Sequence, residues 1–236
     1  MGRAATAQSF YGRWAGLYDA IARYTPGVGR LRARAAAALD LSPGDTVVEM
    51  GCGTGANVPY LREAVGPEGR VVGIDLTRGM LRRAGERVDR EGWDDVNLVQ
   101  ADATRLPVSG PVDAVLATFV VGMFPDPRPA VDAWVDLLGP GGRVALLNAG
   151  RSDRTVAGPL NLGFRAFVRA AAPGDRGVSP TRSLERRVAA ARDQVRARCG
   201  PTGFEEFGVG YLGLQWGERA ADPGPNSDPD LDPDPE

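Results

Sequence analysis

Three glycines within five positions, Gly51, Gly53 and Gly55, stand inside the run VVEMGCGTGANVPYL (Val47 to Leu61). Glycine gives up backbone order that alanine would keep, so this density points to a ligand coming close to bare main chain. The run opens as an apolar strand, VVEM, and closes as a helix start. The free N–H groups at a helix start favour a negative or electron-rich group. Twenty residues past Gly55 comes Asp75, at the end of a second apolar run, RVVGID. A carboxylate at that place accepts both hydroxyls of a ribose. Glycines plus acid therefore indicate an adenosine-containing ligand. Glu49, two residues before the first glycine, narrows the choice. It would repel a pyrophosphate and suit a ligand carrying an ammonium and a sulfonium. The third glycine of a dinucleotide loop would fall at Ala56, where alanine is permitted, so that position does not discriminate. After a third apolar run, VNLVQ, comes ADAT. There Asp102 can accept from an exocyclic adenine amine, or serve as an ordinary turn acid, and the Ala103 N–H can donate to a ring nitrogen.

The composition removes several chemistries. The chain of 236 residues has no histidine, which excludes Ser-His-Asp and Cys-His mechanisms. All 28 basic residues are arginine, so Schiff-base lysines and a phosphate-loop lysine are excluded too. The two cysteines, Cys52 and Cys199, are far apart, which argues against a disulfide framework and a structural zinc site, and no metal site is expected. Cys52 reads as a small buried residue filling the loop. Formal net charge is −2, yet Asp222 to Glu236 holds six acids and no arginine, leaving 24 acids against 28 arginines in the body. Residues 219–236 read as a disordered acidic tail. The small positive balance, without a basic stripe, argues against a nucleic-acid partner. No apolar run approaches the ~20 residues of a membrane span, and the N-terminus lacks a signal-peptide core. A cytoplasmic protein is expected; peripheral membrane contact stays open, and no oligomeric state is fixed.

The elements that would position these residues alternate. Helical spacing covers residues 6–24, TPGVG breaks it, and a second helix carries Leu31, Ala35, Ala38 and Leu39 on one face. Strands are predicted at Thr46–Met50, Arg70–Asp75, Val96–Gln100, Val112–Thr118 and Arg143–Asn148. Between them lie helices at about 57–65, from a Thr77 cap to a stop at Gly92, and at Pro129–Leu138, with GPGG (Gly139 to Gly142) as a turn. Apolar strands alternating with helices predict a doubly wound, mostly parallel α/β sheet. After Gly150 two helices follow, about 156–171 and 182–198, and Phe204 to Trp216 reads as a β-hairpin.

VVEMGCGTG, VVGIDLT, VQADATRLP, VDAVLATFVV and LLGPGGRVALLN, in this order and at these spacings, resemble the successive motifs of the class I S-adenosylmethionine-dependent methyltransferases. The resemblance implies a Rossmann-like, seven-stranded, mostly parallel sheet with an antiparallel last strand. It implies one methyltransferase domain over 1–218, with N-terminal lid helices over 1–41 and a helical insert over 151–181. The cofactor would be S-adenosylmethionine. The loop Gly51, Cys52, Gly53, Thr54 and Gly55 would pack on its methionine part, with Glu49 near the amino group. Asp75 would hold the ribose, Leu76 would pack on the adenine face, and Asp102 and Ala103 would meet the adenine edge. Thr118 would face the sulfonium. FYGRWAGLYDA is similar to the opening helix of the ubiquinone/menaquinone and phospholipid N-methyltransferase groups, where Tyr18 and Asp19 match a recurrent pair in a lid. Tyr11, Tyr18 and Asp19 are the candidates for a general base, although both tyrosines also suit simple packing. The implied function is methyl transfer by in-line displacement to a small-molecule or lipid-like acceptor. A nucleotide-dependent oxidoreductase and a non-catalytic binder of the same cofactor are the alternatives. The apolar stripe Leu160, Phe164, Phe167 and Val168 would line an acceptor pocket or form a core helix.

Overall fold

The computed structural model describes residues 27–150, 152 and 180–220, and the fold is stated for these. The elements are α1 (Val28–Ala37), β1 (Thr46–Met50), α2 (Val58–Val65), β2 (Arg70–Asp75), α3 (Arg78–Glu91), β3 (Val96–Gln100) and β4 (Val112–Thr118). They continue with a 3₁₀ turn (Val121–Met123), α4 (Arg128–Leu137), β5 (Leu138–Ala149), α5 (Pro180–Arg198), β6 (Thr202–Phe207) and β7 (Leu212–Glu218). The strands form one seven-stranded sheet in the order β3-β2-β1-β4-β5-β7-β6. The first five pair in parallel, and β7 runs antiparallel to both β5 and β6. The α/β class, the strand number and the reversed last strand all agree with the sequence reading.

Strand alternation decides what meets what. Successive side chains point to opposite faces. Along β1, Val47 enters the cluster with Leu31, Ala35, Val58 and Leu61, so α1 and α2 cover that face. Val48 and Met50 enter the other cluster, with Trp134 of α4 and Val188, Ala191 and Val195 of α5. Burying each such aliphatic side chain contributes about 1.5–3 kcal/mol. The same parity puts Glu49 on the α1/α2 face at the end of β1. On β4, Ala114 and Leu116 belong to that face, and so Thr118 does too.

Three local features differ from the sequence expectation. Gly139 to Gly142 do not form a turn ahead of the strand; they lie inside β5. Val112 pairs with Leu138 and Ala114 with Arg143, so the extra residues bulge out. Gly141, at φ +76°, takes a conformation that lets the chain bulge without leaving the sheet. Thr77 does sit at the start of α3, yet its side chain makes no cap hydrogen bond. Within the expected N-terminal lid, Leu31, Ala35, Ala36, Ala38 and Leu39 are buried. The expected helices over 6–24 and about 156–171, Tyr11, Tyr18 and Asp19, and the tail from residue 221 lie outside the described residues. Among the described residues, no helix is long and apolar enough to cross a membrane.

Candidate cofactor site

In a doubly wound sheet a ligand sits beyond the carboxyl ends of the strands, where strand order reverses. Here that point lies between β1 and β4. Glu49, the Gly51–Gly55 loop, Asp75 and Thr118 all stand at the carboxyl ends of β1, β2 and β4.

Each glycine of the loop has positive φ, but their surroundings differ. A Cβ on Gly51 would lie 2.8 Å from Val120 Cγ2, and one on Gly55 would meet Ala84 and Val58 at 3.4 Å. A Cβ on Gly53 would meet nothing within 4 Å among the described residues. Gly51 and Gly55 thus seat the loop on the protein, and Gly53 is the glycine whose Cβ face is open. Val120 reaches Gly51 because Phe119 turns the chain at φ +59°, an uncommon conformation for a non-glycine residue. Such a residue is strained by about 1–3 kcal/mol. The Arg87 Nη1 group donates to the Gly55 carbonyl at 2.8 Å and ties the loop to α3.

Two carboxylates flank the loop. Asp75 accepts from the Gly53 N–H at 2.9 Å through one oxygen and from the Thr77 N–H at 2.7 Å through the other. Burial raises its pKa, and these two backbone donors act in the opposite direction. Asp75, not the Thr77 hydroxyl, therefore organises the start of α3. Glu49 is 1% exposed. Its Oε1 accepts from Asn57 Nδ2 at 2.5 Å. Its Oε2 is buried and has no hydrogen-bond partner among the described residues. Burial pushes this carboxyl up to about 7; the Asn57 hydrogen bond and the Arg32 charge pull it down, and the Asp75 charge adds to the rise. An unpartnered buried carboxylate oxygen costs free energy unless a donor fills it. Its complement is a cationic N–H donor, and an ammonium group fits.

Asn57 Nδ2 also donates to Thr118 Oγ1 at 3.0 Å, and Arg32 Nη1 donates to Asn57 Oδ1 at 2.6 Å. The structure thus draws Thr118 toward Asn57 and Glu49. Arg32 is a site residue that sequence reasoning misses. The available signal is its place between Leu31 and Ala35, inside the apolar stripe of α1, where it is buried. Arg87 and Val120 give no comparable signal.

The remaining expected residues fall into place unequally. Cys52 points away from the open side of the loop: a Cβ on Gly73 would lie 2.9 Å from its Sγ, so glycine at 73 makes room for it. Burial holds its thiol well above the usual range. Only the Cys52 main chain is left to serve a ligand. Thr54 is buried in the loop. Leu76, beside Asp75, is 40% exposed, as a platform for an aromatic base requires. Asp102 Oδ1 accepts from the Thr104 N–H at 2.9 Å and from the Thr104 hydroxyl at 2.7 Å, so that oxygen is engaged in its own turn. The Ala103 carbonyl accepts from Trp134 Nε1 at 2.8 Å, which fixes the backbone after β3. Among the described residues no acid or cysteine cluster could hold a metal ion.

A family model described as a methyltransferase domain matches residues 47–142, the segment that carries the loop, both carboxylates and Thr118. Nocamycin O-methyltransferase from Saccharothrix syringae is 38% identical over 171 residues, covering 69% of this chain and 58% of that protein. Phosphatidylethanolamine N-methyltransferase from Cereibacter sphaeroides is 34% identical over 162 residues, covering 67% of this chain and 74% of that protein. The match spans 27% to 58% of the length of the first four curated relatives. A SAM-dependent methyltransferase from Aquifex aeolicus shares the fold at 21% identity and a TM-score of 0.60, over 82% of this chain and 93% of that one. Strand order, loop, flanking acids and relatives agree, and the chain belongs to the class I S-adenosylmethionine-dependent methyltransferases.

Proposed function

We propose that this protein binds S-adenosylmethionine at the Gly51–Gly55 loop and transfers its methyl group to a small-molecule or lipid-like acceptor. The observation that carries the reading is Glu49 Oε2, buried and without a partner among the described residues, two residues ahead of the loop. That oxygen suits the ammonium of the cofactor's methionine part and would repel a pyrophosphate, so a nucleotide-dependent oxidoreductase is disfavoured. Gly53 gives the ligand an approach to the main chain. Asp75 holds the ribose hydroxyls, Leu76 supports the adenine, and Asp102 and Ala103 border it. Thr118 stands at the edge nearest the sulfonium.

When bound, the cofactor supplies a methyl group on a sulfonium, already a good leaving group. The protein's part is to align the acceptor and exclude water, and alignment of this kind is worth about 7–11 kcal/mol. A base is required only where the acceptor must lose a proton, so a chain without histidine can do this work. Asp19, Tyr11 and Tyr18 are the proposed candidates for that base. The acceptor class is supported by the two relatives, named for a nocamycin O-methylation and a phosphatidylethanolamine N-methylation. The resemblance of the N-terminal segment to quinone and phospholipid methyltransferases adds to that support.

Calorimetry with S-adenosylhomocysteine and with NAD tests the cofactor. Binding of the first alone is expected; binding of NAD alone overturns the proposal in favour of an oxidoreductase. Incubation with methyl-labelled cofactor and extracted small molecules and lipids tests the acceptor. Label in an organic-soluble product is expected. Cofactor binding without any labelled product, under the same conditions, means a non-catalytic binder.

A further inference from the structure

We propose that Arg32 is a positioning residue: it fixes the orientation of Asn57 and thereby holds Glu49 as an anion facing the cofactor's ammonium. The inference rests on the reading of Glu49 given above and names how that site is controlled.

The chemistry of the donors sets the orientation. Arg32 can only donate, so the Asn57 face 2.6 Å from its Nη1 must be the carbonyl oxygen. The Asn57 amide nitrogen is then forced toward Glu49 and Thr118, at 2.5 and 3.0 Å. Rotated by half a turn, the same side chain would put its oxygen against the carboxylate and repel it. Asn57 stands at the start of α2 without capping that helix through its side chain, so its amide is devoted to this bridge. Arg32 is also costly as a packing residue. It is buried in the apolar stripe of α1, and its Nε has no hydrogen-bond partner among the described residues. Burying an incompletely paired charge opposes folding, so a methionine or leucine there would serve the core better.

The other groups around Glu49 make such a device necessary. Asp75 on β2 presents a like charge, and the Cys52 thiol in the loop feels both acids. Thr118 on β4 is neutral and is itself held by Asn57. Among the described residues Arg32 on α1 is the cation acting on this carboxyl, and burial otherwise drives the carboxyl toward its neutral form. A protonated Glu49 offers the ammonium no countercharge.

The test is S-adenosylhomocysteine affinity measured by calorimetry from about pH 5.5 to about pH 8, the range that brackets a carboxyl raised toward neutrality. Wild-type affinity is expected to rise through a midpoint near the Glu49 value of about 7. Arg32→Gln is expected to move that midpoint up by about one pH unit, the scale of losing a nearby opposite charge. Arg32→Lys, which keeps the charge, is expected to return it toward wild type. Asn57→Leu removes the amide that Arg32 orients and that itself donates to Glu49, and is expected to move the midpoint upward as well. This second variant covers the case in which Arg32→Gln does not fold. A uniform loss of affinity with the wild-type midpoint, in Arg32→Gln or in Asn57→Leu, overturns the proposal. Glu49→Gln is expected to bind weakly and without pH dependence. Should it keep the wild-type profile, the reading of Glu49 itself fails, and that outcome is distinct from a failure of Arg32.

Discussion

The two ends of the sheet both carry acids and use them differently. At the amino ends of the parallel strands, Asp40, Asp45, Asp113, Arg143 and Glu218 line a pocket of 230 Å³. Each acid there has a protein partner. Asp45 accepts from the Ser42 N–H and Asp113 from the Thr46 N–H, both at 2.7 Å. Arg143 Nη2 lies 3.2 Å from Asp40 and 3.0 Å from Glu218. At the carboxyl ends, Glu49 is buried with one oxygen left over, and Asp75 closes on the open-faced loop. The contrast shows that a cluster of acids does not by itself make a site. What marks the carboxyl end, among the described residues, is a buried carboxylate oxygen whose hydrogen bonding is unfinished.

A pair of glycine variants tests this contrast hardest. Gly53 and Gly141 both have positive φ, and a Cβ added to either would meet nothing within 4 Å among the described residues; one stands at each end of the sheet. Valine at either is strained by about 1–2 kcal/mol, the cost of a left-handed L-residue. Gly53→Val is expected to abolish S-adenosylhomocysteine binding in calorimetry, because the side chain fills the approach to the loop. Gly141→Val is expected to lower the melting temperature and leave binding unchanged. Equal binding by both variants would mean that the open face of Gly53 is not where the cofactor lies.

The two carboxylates come next. Asp75→Ala removes an acceptor from the proposed ribose contact and is expected to weaken S-adenosylhomocysteine binding by about 1–3 kcal/mol, the scale of charge-assisted hydrogen bonds. Unchanged affinity would take Asp75 out of the site. Glu49→Gln trades affinity against stability. Folding raises the Glu49 pKa from 4.5 to about 7, so the folded chain holds this proton more tightly than the unfolded chain. The stability from that proton is complete below the unfolded value and is lost as pH rises through the folded one. Above about pH 7 the ionised, half-partnered carboxylate opposes folding. Glutamine cannot ionise, so ligand-free Glu49→Gln is expected to melt higher than wild type at alkaline pH, with the gap closing as pH falls. An unchanged melting temperature across that range would show that Glu49 is not held in a costly anionic state.

The sheet and the loop are legible in the sequence because their signals are local. Apolar runs of strand length, glycines directly after VVEM and an acid at the end of RVVGID are each contained in a few residues. The network behind the loop is not legible, because its members are set by tertiary packing. Arg32 and Asn57 are separated by 25 positions and meet only when α1 docks beside α2. Strand parity alone places Glu49 and Thr118 on the same face, but not which helix covers them. Asp102 shows the limit of position-based assignment, since its Oδ1 is already engaged with Thr104. Gly139 to Gly142 suggest a turn for a sound local reason: glycine and proline are disfavoured inside strands. In β5 the partner strand pairs on both sides of the run, and the tertiary pairing overrides the local preference.

The mildest substitution falls at the amino end and completes the comparison. Asp113 accepts from the Thr46 N–H, linking the start of β4 to the start of β1. That hydrogen bond is exposed, so water can replace the carboxylate when it is removed. Asp113→Ala is therefore expected to cost no more than about 0.5–1.5 kcal/mol in denaturant unfolding, the net value of one ordinary hydrogen bond. Affinity for S-adenosylhomocysteine should stay at the wild-type value, because β1 and β4 keep their register from Val47 opposite Ala114 through Met50 opposite Ala117. A large loss of affinity in Asp113→Ala would mean that the two ends of β1 are mechanically coupled. The acids at the amino end would then belong to the working site, since a scaffold contact alone would leave the glycine loop undisturbed.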